Sequence, residues 1–226
     1  LVKLAIDQPL VIAVPKGRIL KELRPVMEHI GLIPEDAFFD EDDRRLRFGS
    51  NHALIELIRV RSFDVASFVA FGAAHVGICG SDVLAEFDYP DIYAPVDLGI
   101  GKCRVSLAGR KDAAGMDYDR LSHIRVATKY PNITRSHFAE MGIQAECIKL
   151  NGAIELAPIL GLSTHIVDLV STGGTLKANG LMEEKVLAQV SSRLIVNRTA
   201  FKTRAKEMHA LVTHVREAVE KGLGHA

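Results

Sequence analysis

The stretch His165-Ile-Val-Asp-Leu-Val-Ser-Thr-Gly-Gly-Thr-Leu-Lys-Ala-Asn-Gly180 strings together an apolar run, one carboxylate, a small-residue turn and the opening of a helix. That order describes a strand feeding a helix through a Gly/Thr turn. Such a corner makes an anion cradle. Glycines let backbone N–H groups converge, Ser171, Thr172 and Thr175 add hydroxyl donors, and the next helix turns its positive end inward. Asp168 stands where it can accept hydrogen bonds from sugar hydroxyls beside a phosphate. Two readings fit the loop taken alone: plain strand–turn–helix punctuation, or a ribose-phosphate site. The preceding acid and the helix start favour the second.

Outward from this loop, short apolar runs alternate with amphipathic helical patterns, the signature of a mainly parallel α/β protein. Leu10–Val14 reads as a buried strand, and the spacing of Ile19, Leu20, Leu23, Val26, Met27 and Ile30 gives one helix face, stopped by Gly31. A strand over Leu54–Val60 precedes a helix N-capped by Asp64, and His75–Cys79 is a third strand. Further strands are expected at Val105–Ala108, Arg125–Thr128, Ala145–Leu150 and His165–Val170, and a long one at Val186–Val196. Helices are expected at Ile133–Met141, Ile154–Leu160, from Thr175, and over Thr199–Lys221.

Two segments, Phe68–Asp82 and Ala157–Ser171, share a layout: a helix, a glycine stop, a histidine opening an apolar strand, and a small-residue turn. The fold class expected is therefore α/β, with two similar α/β lobes around a central cleft. Residues 1–100 plus 182–226 form lobe I and 101–181 form lobe II, with crossovers near Leu98–Arg104 and Gly180–Lys185. His75 and His165 read as strand-entry residues, not ligands.

The 226 residues are 48% hydrophobic and 25% charged, an ordinary globular composition. Lys+Arg and Asp+Glu are both 28, so no global field argues for nucleic acid or a membrane surface. Any phosphate must be bound by local arrangement. Cys79, Cys103 and Cys147 lack metal-type spacing and read as reduced thiols. Asp7 and Gln8 interrupt the short apolar start, which does not read as a signal peptide, and no apolar run is long enough to span a bilayer. A cytoplasmic protein is expected.

Four turns hold the candidate chemistry. Lys16-Gly17-Arg18 places two bases at a helix N-terminus, which is electrostatically costly unless an anion sits there; the alternative is a solvated basic corner. Arg44-Arg45-Leu46-Arg47 follows an acidic run and reads mostly as a charged surface hairpin from which one arginine can reach a ligand. Gly80-Ser81-Asp82 is a second small-residue turn at a helix start, and the Asp168–Thr175 loop is the fourth. Lys102 and Arg104, in a glycine-bearing link, point at ligand or at water. No P-loop, GxSxG elbow or metalloenzyme helix motif is present.

Ala13-Val-Pro-Lys-Gly-Arg-Ile19, Gly72-Ala-Ala-His-Val-Gly-Ile-Cys-Gly-Ser-Asp82, Asp97-Leu-Gly-Ile-Gly-Lys-Cys-Arg104, Val126-Ala-Thr-Lys-Tyr-Pro-Asn-Ile-Thr-Arg135, Lys149-Leu-Asn-Gly-Ala-Ile-Glu-Leu-Ala-Pro158 and Asp168–Leu181 together resemble ATP phosphoribosyltransferase. The likeness runs from about Leu10 to Asn197. The resemblance implies lobes like those of type II periplasmic binding proteins. It also implies transfer of phosphoribosyl from 5-phosphoribosyl 1-pyrophosphate to N1 of ATP, releasing pyrophosphate, as the first step of histidine biosynthesis.

With 29 residues after Asn197, the chain resembles the short form without a C-terminal regulatory domain. That form is a catalytic subunit, expected as a homodimer within a hetero-oligomer that includes a histidyl-tRNA-synthetase-like regulatory partner. Mg²⁺ is implied with the substrate phosphates, and no residue is assigned to the metal directly. By similarity, Arg18 and Arg44 are the catalytic candidates. The substrate-binding candidates are Lys16, Gly17, Gly80, Asp82, Glu155, Asp168, Ser171, Thr172, Gly173, Gly174 and Thr175.

The chain departs from the family at Ala66, usually proline, and His75, usually aspartate; both look structural. Two alternatives stand beside this reading. One is a small-ligand binding protein of the same fold, which needs a secretory signal. The other is a phosphoribosyltransferase for another base, which typically has two adjacent acids before its loop, whereas Asp168 is followed by Leu169 and Val170.

Overall fold

The computed structural model describes residues 7–111 and 120–223. The chain divides into two compact units, Leu1–Gly101 with Ser191–Ala226, and Lys102–Val190. The first crossover therefore falls inside the expected glycine-bearing link.

In the first unit, β1 (Leu10–Pro15) pairs in parallel with β3 (Ile55–Val60) and with β4 (Val76–Gly80). β1 is buried nearly throughout, as a central parallel strand must be. The short β2 (Arg47–Phe48), β5 (Ile92–Asp97) and β11 (Ser192–Asn197) complete a six-stranded sheet in the order β2-β3-β1-β4-β11-β5. β2, β11 and β5 run antiparallel to their neighbours, so the sheet is mixed where a mainly parallel one was expected.

α1 (Arg18–His29) and α8 (Ala205–Glu220) bury Leu23, Val26, Leu211 and Val215 against the sheet face of Ile12 and Val14. α2 (Ser62–Ala70) and α3 (Ser81–Phe87) cover the face of Ala13 and Cys79. α2 approaches β4 so closely that a Cβ at Gly77 would lie 2.7 Å from Val65 Cγ1.

The second unit holds a five-stranded sheet in the order β10-β6-β9-β7-β8. Its strands are β6 (Cys103–Arg110), β7 (His123–Thr128), β8 (Gln144–Lys149), β9 (His165–Val170) and β10 (Leu181–Val190). β9, β7 and β8 are mutually parallel, and β6 and β10 are antiparallel to their neighbours. α5 (Leu156–Ile159) and α6 (Gly174–Ala178) pack Ala157 and Leu176 onto Ala108, Ile166 and Val170. α4 (Pro131–Glu140) buries Phe138.

Several expectations need correction. The single strand over Val186–Val196 is two strands in different sheets. Val190 pairs with Cys103, then Ser192 pairs with Gly80. Residues 182–190 therefore belong to the second unit, and the return crossing lies at 190/191, not near Gly180–Lys185. Asp64 does not cap its helix; Arg61 takes that position and Asp64 lies in the first turn, where its charge still suits the helix dipole. The terminal helix breaks at Arg204, which separates α8 from α7 (Arg198–Thr203). The shared layout holds at both glycine stops: Gly72 (φ 75) and Gly161 (φ 72) are left-handed, and each precedes a histidine at a strand start.

Candidate active site

In the second unit, β7 and β9 run parallel, so their carboxyl ends and the turns beyond them share one sheet edge. This is the edge where open α/β sheets hold ligands. The loop after β9 bends at Gly173, whose φ of 79° and ψ of 3° place it in the left-handed region, and α6 starts at Gly174. Ser171, Thr172, Gly174 and Thr175 are exposed, while Leu176 anchors the helix in the core. A cavity of ≈ 170 Å³ is formed by this loop together with Glu155 and Asp168. Asp168 Oδ1 accepts from the N–H of Leu169 at 2.8 Å.

The neighbouring strand end is fixed by a buried network that the sequence reading missed. Thr128 Oγ1 donates to the Val167 carbonyl at 2.7 Å and accepts from the Tyr130 N–H at 2.8 Å. Thr134 Oγ1 donates to the Tyr130 carbonyl at 2.7 Å. Beside Glu155, Ala153 holds φ 50°, a left-handed conformation that disfavours any side chain and marks a constrained turn.

Arg104, whose direction the sequence left open, lies in this unit. Its Nε and Nη2 meet Oε1 and Oε2 of Glu183 at 2.5 and 2.6 Å, and its Nη1 donates to the Ser171 carbonyl at 2.9 Å. The Arg104 hydrogen bonds, helped by Ser106, hold the Glu183 carboxyl below its usual range.

In the first unit, β1 and β4 are parallel, so Lys16-Gly17-Arg18 and Gly80-Ser81-Asp82 occupy the same sheet edge. Gly17 has φ 85° and ψ −141°, a backbone that requires glycine, and α1 begins immediately after it with no acid in its first turn. Lys16 and Gly17 border a cavity of ≈ 620 Å³ together with Lys21, Arg24, Phe39 and Glu41. Lys21 pairs with Glu41 at 2.8 Å, and Arg24 lies over the Phe39 ring at 4.9 Å. Arg18 reaches Glu22 at 3.5 Å, and Glu22 Oε2 also accepts the Gly101 N–H at 2.6 Å.

The arginine run after the acidic segment sorts itself by partner. Arg45 engages Asp43 and Glu35, and Arg47 engages Glu56. Arg44 is exposed and makes no ion pair among the described residues. Neither Arg18 nor Arg44 borders the cavity that Lys16 opens on. Gly80 has an ordinary extended backbone, so its role is not conformational, and Asp82 is buried in the first turn of α3. Burial, and then Asp82, push the Cys79 thiol well above the usual range, so it does not ionise near neutrality.

Arg59 is the residue most clearly missed. It is 3% exposed on the buried register of β3, behind Ile55 and Leu57. Its guanidinium donates to the carbonyls of Phe38, Asp40 and Asp43, and stands 4.7 Å from the Phe48 ring. It thereby shapes the segment that carries Glu41 and Arg44. The period-2 alternation Ile55, Leu57, Arg59 was the available signal.

Fold and site together define a two-unit α/β protein whose strand ends present a glycine–hydroxyl turn in one unit and a basic turn in the other. The ATP phosphoribosyltransferase family model matches residues 61–217. A protein of that name from Paramagnetospirillum magneticum is 64% identical over 210 residues, covering 92% of this chain and 96% of the relative. Another, from Rhizorhabdus wittichii, is 65% identical over 212 residues, covering 93% and 96%. The chain belongs to the ATP phosphoribosyltransferase family.

Among solved structures, the ATP phosphoribosyl transferase (HisG:HisZ) complex from Thermotoga maritima matches with a TM-score of 0.78 and 31% identity, over 94% of this chain and 99% of that one. The substrate-binding protein of an amino acid ABC transporter matches with a TM-score of 0.58 and 10% identity, over 94% and 92%. That second likeness shows the shared two-unit fold. No helix among the described residues is long and apolar enough to cross a membrane.

Proposed function

We propose that the chain is an ATP phosphoribosyltransferase, a pentosyltransferase that joins N1 of ATP to C1 of 5-phosphoribosyl 1-pyrophosphate in the first step of histidine biosynthesis. The observation that carries this reading is the Asp168–Thr175 turn at the carboxyl end of β9, in a chain that matches the family over most of its length. The exposed hydroxyls and amides of Thr172–Thr175 receive the 5-phosphate, and Asp168 accepts from the ribose hydroxyls. Glu155 and Ser171 border the same space on the nucleotide side.

Ribosyl transfer loosens its leaving group early. The C1–O bond to pyrophosphate breaks with its electron pair on oxygen, and the adenine N1 lone pair forms the new bond with inversion. The positive charge gained by adenine is shed as a proton from its exocyclic amine. N1 needs no deprotonation before attack, so positioning and charge stabilisation supply most of the catalysis. Lys16 and Arg18, with Arg44, supply cationic charge for pyrophosphate and triphosphate, and Gly17, Gly80 and Asp82 shape that edge of the first unit.

Mg²⁺ fits this site as an ion brought by the polyphosphates. The loop cavity presents two carboxylates, Glu155 and Asp168, and the described residues hold no cluster of three metal-type side chains. When bound, the ion neutralises charge developing on pyrophosphate.

The chain works in the cytoplasm as the short-form catalytic subunit, a homodimer assembled with a histidyl-tRNA-synthetase-like regulatory partner. The Thermotoga maritima HisG:HisZ complex supports the partner subunit in this reading. The reading is tested by mixing the chain with ATP, Mg²⁺ and 5-phosphoribosyl 1-pyrophosphate and following the ultraviolet absorbance of N1-substituted adenosine. Signal is expected only with both substrates present. Pyrophosphate release without any adenine-linked product would overturn it.

A further inference from the structure

A basic residue beside an anion-binding loop is ordinarily a ligand for the anion, but Arg104 is engaged elsewhere. It stands opposite Val170 across the antiparallel β6–β9 ladder, and Ser106 stands opposite Asp168. Directly opposed residues share a face, so Arg104, Ser106 and Asp168 lie on one side of the sheet. Glu183 joins them from β10, where it opposes Ala108. A register shift between Glu183 and Lys185 follows directly, and bulges of this kind re-aim side chains.

The result is a four-part chain. Ser106 Oγ donates to Glu183 Oε1 at 2.6 Å, Glu183 grips Arg104 with both oxygens, and Arg104 ties down the Ser171 carbonyl at 2.9 Å. Ser171 is the first residue beyond β9, where the strand turns into the exposed loop that bends at Gly173.

We propose that Glu183 is a positioning residue for the phosphoribosyl donor: it locks Arg104 in the one orientation that pins the Ser171 carbonyl, and so holds the Thr172–Thr175 turn ready for the 5-phosphate. A bidentate carboxylate–guanidinium pair fixes both planes at once, which a single contact cannot do. The pair also takes Arg104 out of competition for the phosphate and leaves that group to the neutral donors of the turn. This inference rests on the donor-binding role given to the loop under the proposed function.

The test compares wild type, Glu183→Gln, Arg104→Lys and the double variant. Glutamine keeps the shape of Glu183 but faces the guanidinium with an amide donor, and lysine cannot make the two-pronged contact. Each single variant is expected to raise KM for 5-phosphoribosyl 1-pyrophosphate about tenfold, because the loop must then be ordered during binding. The KM for ATP is expected to stay within about twofold and kcat within about threefold, and the double variant is expected to add little, since the two residues act as one unit.

Glu183→Asp, which keeps the charge and both oxygens, is expected to recover part of the donor KM. Equal changes in both KM values, a fall in kcat alone, additive single effects, or no change in donor KM would each overturn the proposal. Calorimetric titration of all five proteins with 5-phosphoribosyl 1-pyrophosphate and Mg²⁺ runs in parallel. If wild type binds the donor yet makes no product with ATP, the functional reading fails, and the tenfold weakening in the variants still decides the role of Glu183.

Discussion

Replacing Arg59 by methionine removes the polar centre of the segment between α1 and β3 while leaving its bulk. Methionine fills much of the space of the arginine stem and keeps contact with Phe48, so the change isolates the loss of hydrogen bonds. Four carbonyls lose a charged donor: Phe38 at 2.9 Å, Asp40 at 2.6 Å, Asp43, and, more weakly, Arg45 at 3.4 Å. Their fates differ. Phe38 is fully buried, so its carbonyl is left without water, at about 1–3 kcal/mol. Asp40 is exposed and Asp43 partly so, and each can rehydrate if the segment swings outward, with a net loss of about 0.5–1.5 kcal/mol apiece. The guanidinium no longer has to be desolvated, which offsets part of this sum.

The net cost is therefore expected at about 2–4 kcal/mol, concentrated in the segment. Native-state hydrogen exchange measures it by position. Amides over 39–46 are expected to lose protection first, and those of β3 by the smaller global amount. The KM for nucleotide is expected to rise with them, because Glu41 and Arg44 lose their placement. Unchanged exchange over 39–46 together with a global loss under about 0.5 kcal/mol, the scatter typical of ordinary surface substitutions, would refute the reasoning.

Other outcomes follow from the same geometry. In Gly173→Ala the new Cβ meets only Val170 Cγ1 at 3.9 Å, so the penalty is the left-handed backbone itself, about 1–2 kcal/mol, read as lowered stability in urea and a raised donor KM. Arg18→Ala is expected to lower kcat about 10²–10³-fold if Arg18 stabilises leaving-group charge, and a turnover loss under threefold in a folded variant sinks that role. Burial, and then Arg204, lower the pKa of His75, whose Nδ1 accepts the Val11 N–H at 3.0 Å. The folded-state pKa thus lies below the unfolded value, so the unfolded chain binds more protons in that window, and stability falls as pH drops from about 6.5. His75→Asp puts a carboxylate acceptor in place of the imidazole and is expected to shift this acid limb to lower pH in urea titrations; a limb parallel to wild type contradicts it.

The parts legible in the sequence were those governed by local chemistry. β9 occupies His165–Val170 as read, because one apolar run meets one turn, and Gly72 and Gly161 stop their segments through backbone freedom that only glycine supplies cheaply. The loop after β9 was recognisable for the same reason. What escaped depended on distant partners. Val186–Val196 read as one strand because apolar residues flank the short polar run Ser191-Ser192-Arg193 on both sides, while the chain changes sheets at Ser191, where the Ser81 N–H donates to its carbonyl. β5 contains Pro95 and has only Val96 buried, so it carries little strand periodicity. α7 and α8 separate at Arg204, whose side chain donates to the carbonyls of Gln8 and Pro9 far away in sequence. Arg59 and Glu183 owe their roles to contacts 14–21 and 77–79 residues apart, beyond any local pattern.

The central claim is a bond between adenine N1 and ribose C1. Donor labelled with ¹³C at C1, ATP labelled with ¹⁵N at N1, Mg²⁺ and the chain, observed together by NMR, report that bond directly. The account predicts a one-bond ¹³C–¹⁵N coupling that grows in step with released pyrophosphate. Pyrophosphate release with no such coupling, or ribose attached at any other position of ATP, would contradict it.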